Sequence, residues 1–194
     1  MNLIRQKIYG DINPYENLQL LEKEEQGWAS DSPVFEEVIK QIQPKVIVEV
    51  GAGPRGSILL TEGNFKRGIV VEPLIDRWPA EIREDYEKIG VEIIAAPYED
   101  LEIDEQIDET WFFNVVQHVL DPKEQLEIAK KTSKVVRVFE SIGSVTDTAH
   151  PHFITEQTFT DVLGDFGSIY EGGSEPGFHG ADCYYGTWYA SDNV

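Results

Sequence analysis

Apolar and polar positions along the chain fall into two alternating patterns. Short apolar runs of strand length recur at Val46-Ile47-Val48-Glu49-Val50, Gly68-Ile69-Val70-Val71, Val91-Glu92-Ile93-Ile94-Ala95-Ala96, Thr110-Trp111-Phe112-Phe113-Asn114-Val115-Val116 and Val135-Val136-Arg137-Val138-Phe139. Their β-branched and aromatic content is that of buried strands. Segments of helical periodicity lie between them. Ser32 and Pro33 open a helix whose Val34, Phe35, Val38, Ile39 and Ile42 share one face and which Pro44 stops. Ile82, Tyr86 and Ile89 mark a second helix over 79–89 that ends at Gly90. Asp121 as cap, Pro122 at the first helical position and Glu124 start a third, with Lys130, Lys131 and Lys134 complementing its C-terminal dipole. Thr155 caps a last helix in which Phe159, Val162, Leu163 and Phe166 line up, closed by Gly167. Two closing strands follow, over 168–170 and 183–189.

Repeated strand–helix alternation predicts an α/β fold: a doubly wound, mostly parallel sheet with helices on both faces. Ligands of such sheets bind at the carboxyl ends of the strands, near the switch point. The glycines after Val50, Glu72, Ala96-Pro97-Tyr98 and Asn114 all stand at those ends. Residues 1–31 are mixed and polar and form an extension to a domain over 32–194. The acid-rich stretch from Glu99 to Glu109 reads, beyond its first two residues, as solvated surface.

Composition narrows the function. The chain has 194 residues, with 41% hydrophobic and 11% aromatic positions, enough for one domain with one core. Its 36 acids against 16 bases give a net charge of -20, which repels phosphates and argues against nucleic acid as a partner. The single cysteine, Cys183, excludes an intrachain disulfide and fits a reducing compartment. The N-terminal stretch lacks the apolar core of a signal peptide, and no window reaches the roughly 18 apolar residues of a membrane span. A cytoplasmic protein without membrane contact is expected, as a monomer or homodimer.

The candidate chemistry begins at Gly51, Gly53 and Gly56. Their G-x-G-x-x-G spacing after a strand suits a turn that a ligand approaches closely, followed by a helix start with free N–H groups. The spacing alone also fits a dinucleotide. Glu49 separates the readings, because a carboxylate buried in a strand of valine and isoleucine costs several kcal/mol unless a ligand amino group or loop N–H groups partner it. With that acid, Glu49-Val50-Gly51-Ala52-Gly53-Pro54-Arg55-Gly56 resembles the first motif of the class I S-adenosylmethionine-dependent methyltransferases, acid-x-Gly-x-Gly-x-Gly, with one extra residue before the last glycine. Ala96-Pro97-Tyr98-Glu99-Asp100-Leu101 looks like the family's adenine-contacting segment, with Pro97 in place of its usual aspartate. Asn114-Val115-Val116-Gln117-His118-Val119-Leu120-Asp121-Pro122 is similar to the family's Asn-Val-Leu-x-His-Val-x-Asp-Pro signature.

The resemblance covers roughly residues 34–190 and implies a seven-stranded sheet, S-adenosylmethionine as cofactor with S-adenosylhomocysteine as product, and methyl transfer to a small-molecule oxygen or nitrogen acceptor. It places Glu49, Gly51, Ala52, Gly53 and Gly56 along the methionine and ribose portions, Glu72 with Pro73 at the ribose hydroxyls, Tyr98 (through its backbone) and Glu99 at adenine, and Asn114 and Val115 beside them. A base is needed only if the acceptor must lose a proton, and His118, His150 and His152 are the candidates, since histidine titrates near neutral pH. His118 and His152 are the residues expected to act. The ordinary alternatives are a His118 that merely packs at a helix start and an Asp121 that only caps. No metal site is expected, because His150 and His152 lack a third ligand. The 1–31 segment with Trp28 and the 171–182 loop with His179 would form the acceptor side and lid. An NAD(P)-dependent oxidoreductase and a non-catalytic methyltransferase-like binding module are the competing readings.

Overall fold

The structure is a computed structural model that describes residues 45–53, 56–143, 146, 150–171 and 182–190. The expected helix over 32–42, the 1–31 segment and His179 lie outside the described residues. The strands are β1 (Val46–Val50), β2 (Arg67–Val71), β3 (Val91–Ile94), β4 (Ile107–Phe113), β5 (Ser133–Ile142), β6 (Gly167–Tyr170) and β7 (Asp182–Tyr189). The α-helices are α1 (Ala80–Lys88), α2 (Pro122–Thr132) and α3 (Glu156–Leu163). Single turns of 3-10 helix stand at Ile75–Arg77, Tyr98–Asp100 and Val116–His118, and a slightly longer one at Ser57–Thr61.

The sheet runs β3-β2-β1-β4-β5-β7-β6. It is parallel from β3 to β5, while β7 is antiparallel to both β5 and β6. The alternating α/β pattern of the sequence therefore builds the seven-stranded, mostly parallel sheet. Successive side chains of a strand point to opposite faces, so each strand feeds two cores. On one face Val48, Val50, Ile69, Val71, Phe112 and Val138 meet Leu126 and Ala129 of α2 and Phe159, Val162 and Leu163 of α3. Ile47, Val70, Val91 and Trp111 face the other way, against Ile58 and Tyr86 of α1. The ring of Phe159 stacks on that of Tyr184 of β7 with centroids 4.8 Å apart, which fixes α3 over the antiparallel corner. No helix among the described residues is long and apolar enough to cross a membrane.

Several elements differ from the sequence pattern. The segment after the glycine turn is a 3-10 helix at Ser57–Thr61 rather than the start of an α-helix, because Glu62 (φ 52°) and Gly63 (φ 83°) turn left-handed at once. α3 ends at Gly164 (φ 82°) instead of Gly167, and Gly167 opens β6. Phe166 leaves the helix but packs edge-on, at 5.6 Å, against Tyr184, the ring on which Phe159 stacks.

A further difference is in the acid run. Glu102 and Asp104 are exposed as expected, but β4 begins at Ile107 and carries Asp108 and Glu109 into the sheet. Glu109 is fully buried and takes Arg137 on both oxygens (Nε 2.6 Å, Nη2 3.1 Å), Lys45 at 2.6 Å and the Trp111 indole N–H at 2.9 Å. Burial alone would raise its pKa, yet Arg137 and Lys45 outweigh that and hold it down at about 2. Asp108 accepts from the Val46 N–H at 2.9 Å and from Lys134 at 2.6 Å. These acids are structural partners of the amino-terminal ends of β1, β4 and β5, not solvated surface.

Candidate functional site

The glycine turn leaves β1 at the carboxyl edge of the sheet, next to the point where strand order reverses between β1 and β4. Gly51 has φ +58°, and its N–H donates to the Val71 carbonyl at 2.8 Å. A Cβ on Gly51 would lie 2.1 Å from Cγ2 of Val115, so glycine is what lets the turn after β4 press against the turn after β1. Gly53 is also left-handed, at φ +63°, and a Cβ there would meet only open space.

Glu49 lies beneath this turn. One carboxylate oxygen accepts the Ser57 N–H and the other the Ile58 N–H, both at 2.8 Å. Of the two partners open to this acid from sequence, it has loop N–H groups. The N–H groups expected to be free at the 3-10 helix start are thus held by the chain's own carboxylate. Burial pushes the Glu49 pKa up to about 7, against the pull of those two hydrogen bonds. Gly56 closes the turn with no room to spare: a Cβ would stand 2.6 Å from the Ala52 Cβ and 2.7 Å from Oε2 of Glu49. The extra residue before Gly56 has not relaxed the need for glycine there.

Glu72 follows β2 on the same edge. Its Oε1 accepts the Leu74 N–H at 2.9 Å, and its Oε2 the Gly53 N–H at 3.4 Å, a long bond. Each oxygen keeps acceptor capacity, and burial raises this pKa also to about 7. Pro73, half-buried, continues the edge. Beyond β3, Tyr98 turns its ring into the core, edge-on to Phe112 at 5.8 Å, with its hydroxyl 3.5 Å from Thr110 and 3.4 Å from Thr132. Any ligand contact at Tyr98 therefore falls to its backbone. The Glu99 carboxylate accepts from the Gln125 amide of α2.

The turn after β4 forms the other half of the group. Asn114 has φ +58°, a left-handed conformation that asparagine tolerates better than most side chains, and its Oδ1 accepts from the Gln117 amide at 3.0 Å. The next two backbone N–H groups, of Val115 and Val116, both donate to Oε1 of Glu140, at 2.7 and 2.9 Å. Such consecutive N–H groups form a nest suited to an anion. Glu140 is fully buried near the end of β5, its Oε2 makes no hydrogen bond among the described residues, and burial pushes its pKa up to about 8. Sequence reasoning missed it. The signal was present: like Glu72, Glu140 is an acid that directly follows an apolar strand run.

The histidines gather just past this nest. The His118 ring lies 4.6 Å from that of His150, centroid to centroid, and the His118 N–H donates to the Val115 carbonyl. His152 places Nε2 2.8 Å from the Val119 carbonyl. A carbonyl only accepts, so Nε2 carries the hydrogen and Nδ1 holds the lone pair of the neutral ring. His150 and His152 point to different partners. Asp121 caps α2, its Oδ1 accepting the N–H groups of Lys123 and Glu124 at 2.9 and 3.1 Å. The structure thus brings Glu49, Gly51, Ala52, Gly53, Gly56 and Glu72 into one cluster and Asn114, Val115, His118 and His152 into a second, with the Gly51–Val115 contact joining them.

No protein-family model and no curated protein matches the chain. Solved structures do. The N-methyltransferase NodS from Bradyrhizobium japonicum, in complex with S-adenosylhomocysteine, superposes with a TM-score of 0.60 at 13% identity, over 90% of this chain and 98% of that one. The 1,6-didemethyltoxoflavin N1-methyltransferase of Burkholderia thailandensis, with 1,6-didemethyltoxoflavin and S-adenosylhomocysteine bound, gives 0.59 at 16% identity, over 93% and 92%. The magnesium protoporphyrin IX methyltransferase ChlM from Synechocystis, with bound S-adenosylmethionine, gives 0.58 at 12%, over 96% and 90%. With the seven-stranded sheet, the glycine turn and the turn after β4 in place, this chain has the fold of the class I S-adenosylmethionine-dependent methyltransferases.

Proposed function

We propose that the protein is an S-adenosylmethionine-dependent methyltransferase acting on an oxygen or nitrogen atom of a small-molecule acceptor. The observation that carries this reading is the position of Glu49. A dinucleotide would set its pyrophosphate on the free N–H groups of the helix that follows the glycine turn. Those of Ser57 and Ile58 are occupied by the Glu49 carboxylate, and a second anion there would face its charge. A cofactor without phosphates and with a cationic centre suits the cluster better. S-adenosylmethionine has both properties, and the spare acceptor capacity of Glu72 suits a pair of ribose hydroxyls.

In this reading Gly51, Ala52 and Gly53 admit the donor to the backbone, with Glu49 and Gly56 shaping the turn from below. Glu72 with Pro73 holds the ribose side, the Tyr98 backbone and Glu99 the adenine side, and Asn114 and Val115 the floor between them. When bound, the cofactor supplies an electrophilic methyl group on sulfonium sulfur. The chain's own contribution is orientation, since an in-line displacement gains most from holding the partners at near-attack distance. His118 and His152 are the proposed bases for an acceptor that must lose a proton, and Nδ1 of His152 is the nitrogen free to take it.

Titration calorimetry with S-adenosylhomocysteine, NAD and NADP tests the cofactor. Binding of the first and not of the others is expected, and no binding of it at millimolar concentration would sink the proposal. Turnover assays across amine and hydroxyl acceptors then separate an enzyme from a donor-binding module. With a true acceptor, His118→Ala and His152→Ala are each expected to lower kcat by 10²-fold or more, the size of a general-base contribution. Unchanged turnover in both would remove the base assignment.

A further inference from the structure

Side chains from outside its own segment brace the glycine turn, Glu72 at the Gly53 N–H and Tyr86 of α1 at two backbone groups. Tyr86 of α1 is fully buried, and its hydroxyl donates to the Gly53 carbonyl at 2.6 Å while accepting the Gly56 N–H at 2.7 Å. Those two glycines stand three apart in sequence, one residue more than in the motif the turn resembles. We propose that Tyr86 is the positioning residue of the donor turn, its hydroxyl bridging Gly53 and Gly56 across the extra residue and thereby setting donor affinity. The inference rests on the reading of this turn as the donor site.

Three further observations bear on it. Gly53 is held at both ends, its carbonyl by Tyr86 and its N–H by Glu72, so loss of the hydroxyl frees the residue next to the acid assigned to the ribose. The fit is close, since a Cβ on Gly56 would lie 3.0 Å from the Tyr86 oxygen. The hydroxyl also stays protonated, because burial, and after it the Glu49 charge, raise its pKa well above the ordinary tyrosine value. It therefore donates and accepts at once across the working pH range, and no other side chain of the same shape does both.

Tyr86→Phe removes one oxygen and leaves the ring in the core. Calorimetry is expected to find S-adenosylhomocysteine binding weakened roughly tenfold or more, as loss of two buried hydrogen bonds at a binding turn implies. Amide exchange on the ligand-free protein gives a readout independent of the donor: the Gly56 N–H is protected in the wild type and exchanges like an open loop amide in Tyr86→Phe. With an acceptor in hand, donor KM rises while kcat at saturating donor is kept, whereas a purely structural role lowers the melting temperature and leaves donor affinity alone. Wild-type affinity in Tyr86→Phe overturns the inference. So does an unprotected Gly56 amide in the wild type, a result that does not depend on how the variant folds. If the wild type binds no S-adenosylhomocysteine, the donor reading fails and the affinity claim with it, while Gly56 exchange still decides whether the bridge exists.

Discussion

At the scale of single residues, the buried acids divide into two kinds with opposite electrostatics. Glu109 faces cations, Arg137 and Lys45, and its charge is stabilised. Among the described residues Glu49, Glu72 and Glu140 accept hydrogen bonds from backbone N–H groups only, and desolvation outweighs those bonds. All three lie at the carboxyl edge of the sheet, where the candidate site is. Glu140 gives the sharpest prediction. Glu140→Ala leaves the Val115 and Val116 N–H groups buried and unpaired and removes side-chain volume, so a loss of about 2–4 kcal/mol is expected. Glu140→Gln keeps an oxygen for both N–H groups and should cost about 1 kcal/mol or less. Urea denaturation of the two variants checks the order, and equal losses would mean that the nest does not depend on this oxygen.

At the scale of elements, the helix that begins with Asp121 and Pro122 was the most legible. Asp121 and Pro122 start α2, and Lys130 and Lys131 complement its last turn, as written in the sequence, whereas Lys134 falls in β5 and pairs with Asp108. Asp121→Ala is expected to lower stability by about 1 kcal/mol, the usual worth of an N-cap, without changing the pH dependence of turnover. Thermal melts and a pH–rate profile check both halves, and a large activity loss at unchanged stability would return Asp121 to the candidate bases. Less legible were the ends. Gly164 and Gly167 are equally plausible stops in sequence, and it is the pairing of Gly167 with Gly186 on β7 that makes the second a strand residue. The start of β4 was obscured because Asp108 and Glu109 look solvated until Lys134, Lys45 and Arg137 are brought to them from other elements.

At the scale of the molecule, the raised carboxyl pKa values fix the sign of the pH dependence. Glu49 and Glu72 rise from 4.5 to about 7 and Glu140 to about 8, so the folded state binds more protons than the unfolded one between 4.5 and those values. Their contribution to stability is full below about 4.5 and is lost as pH rises through 7 to 8. Glu109, lowered to about 2, acts in the opposite sense and contributes above 4.5, losing its share as pH falls toward 2. The melting temperature is therefore expected to be several degrees higher near pH 5.5 than near pH 8.5. The net charge of -20 works in the same direction through self-repulsion. Salt separates the two, because added salt screens the surface charges and leaves the buried carboxyls untouched. A slope that vanishes in high salt would assign the effect to the surface, and Glu140→Gln should flatten whatever slope salt leaves.

The amino-acid sequence by itself determined the alternation of strands and helices, the glycine turn and the turn after the fourth strand, because hydrophobic periodicity, caps and glycines are local properties of the chain. It also placed an acid in the first strand and another after the second. Only the tertiary structure decided what those groups meet. Glu49 turned out to hold the helix-start N–H groups, Tyr86 arrived from α1 to bridge Gly53 and Gly56, and Glu140 came from β5 to hold the turn that carries Asn114 and His118. Each of these contacts joins residues from different elements, and the partner of a buried polar group is set by which strands lie side by side, which no local pattern encodes.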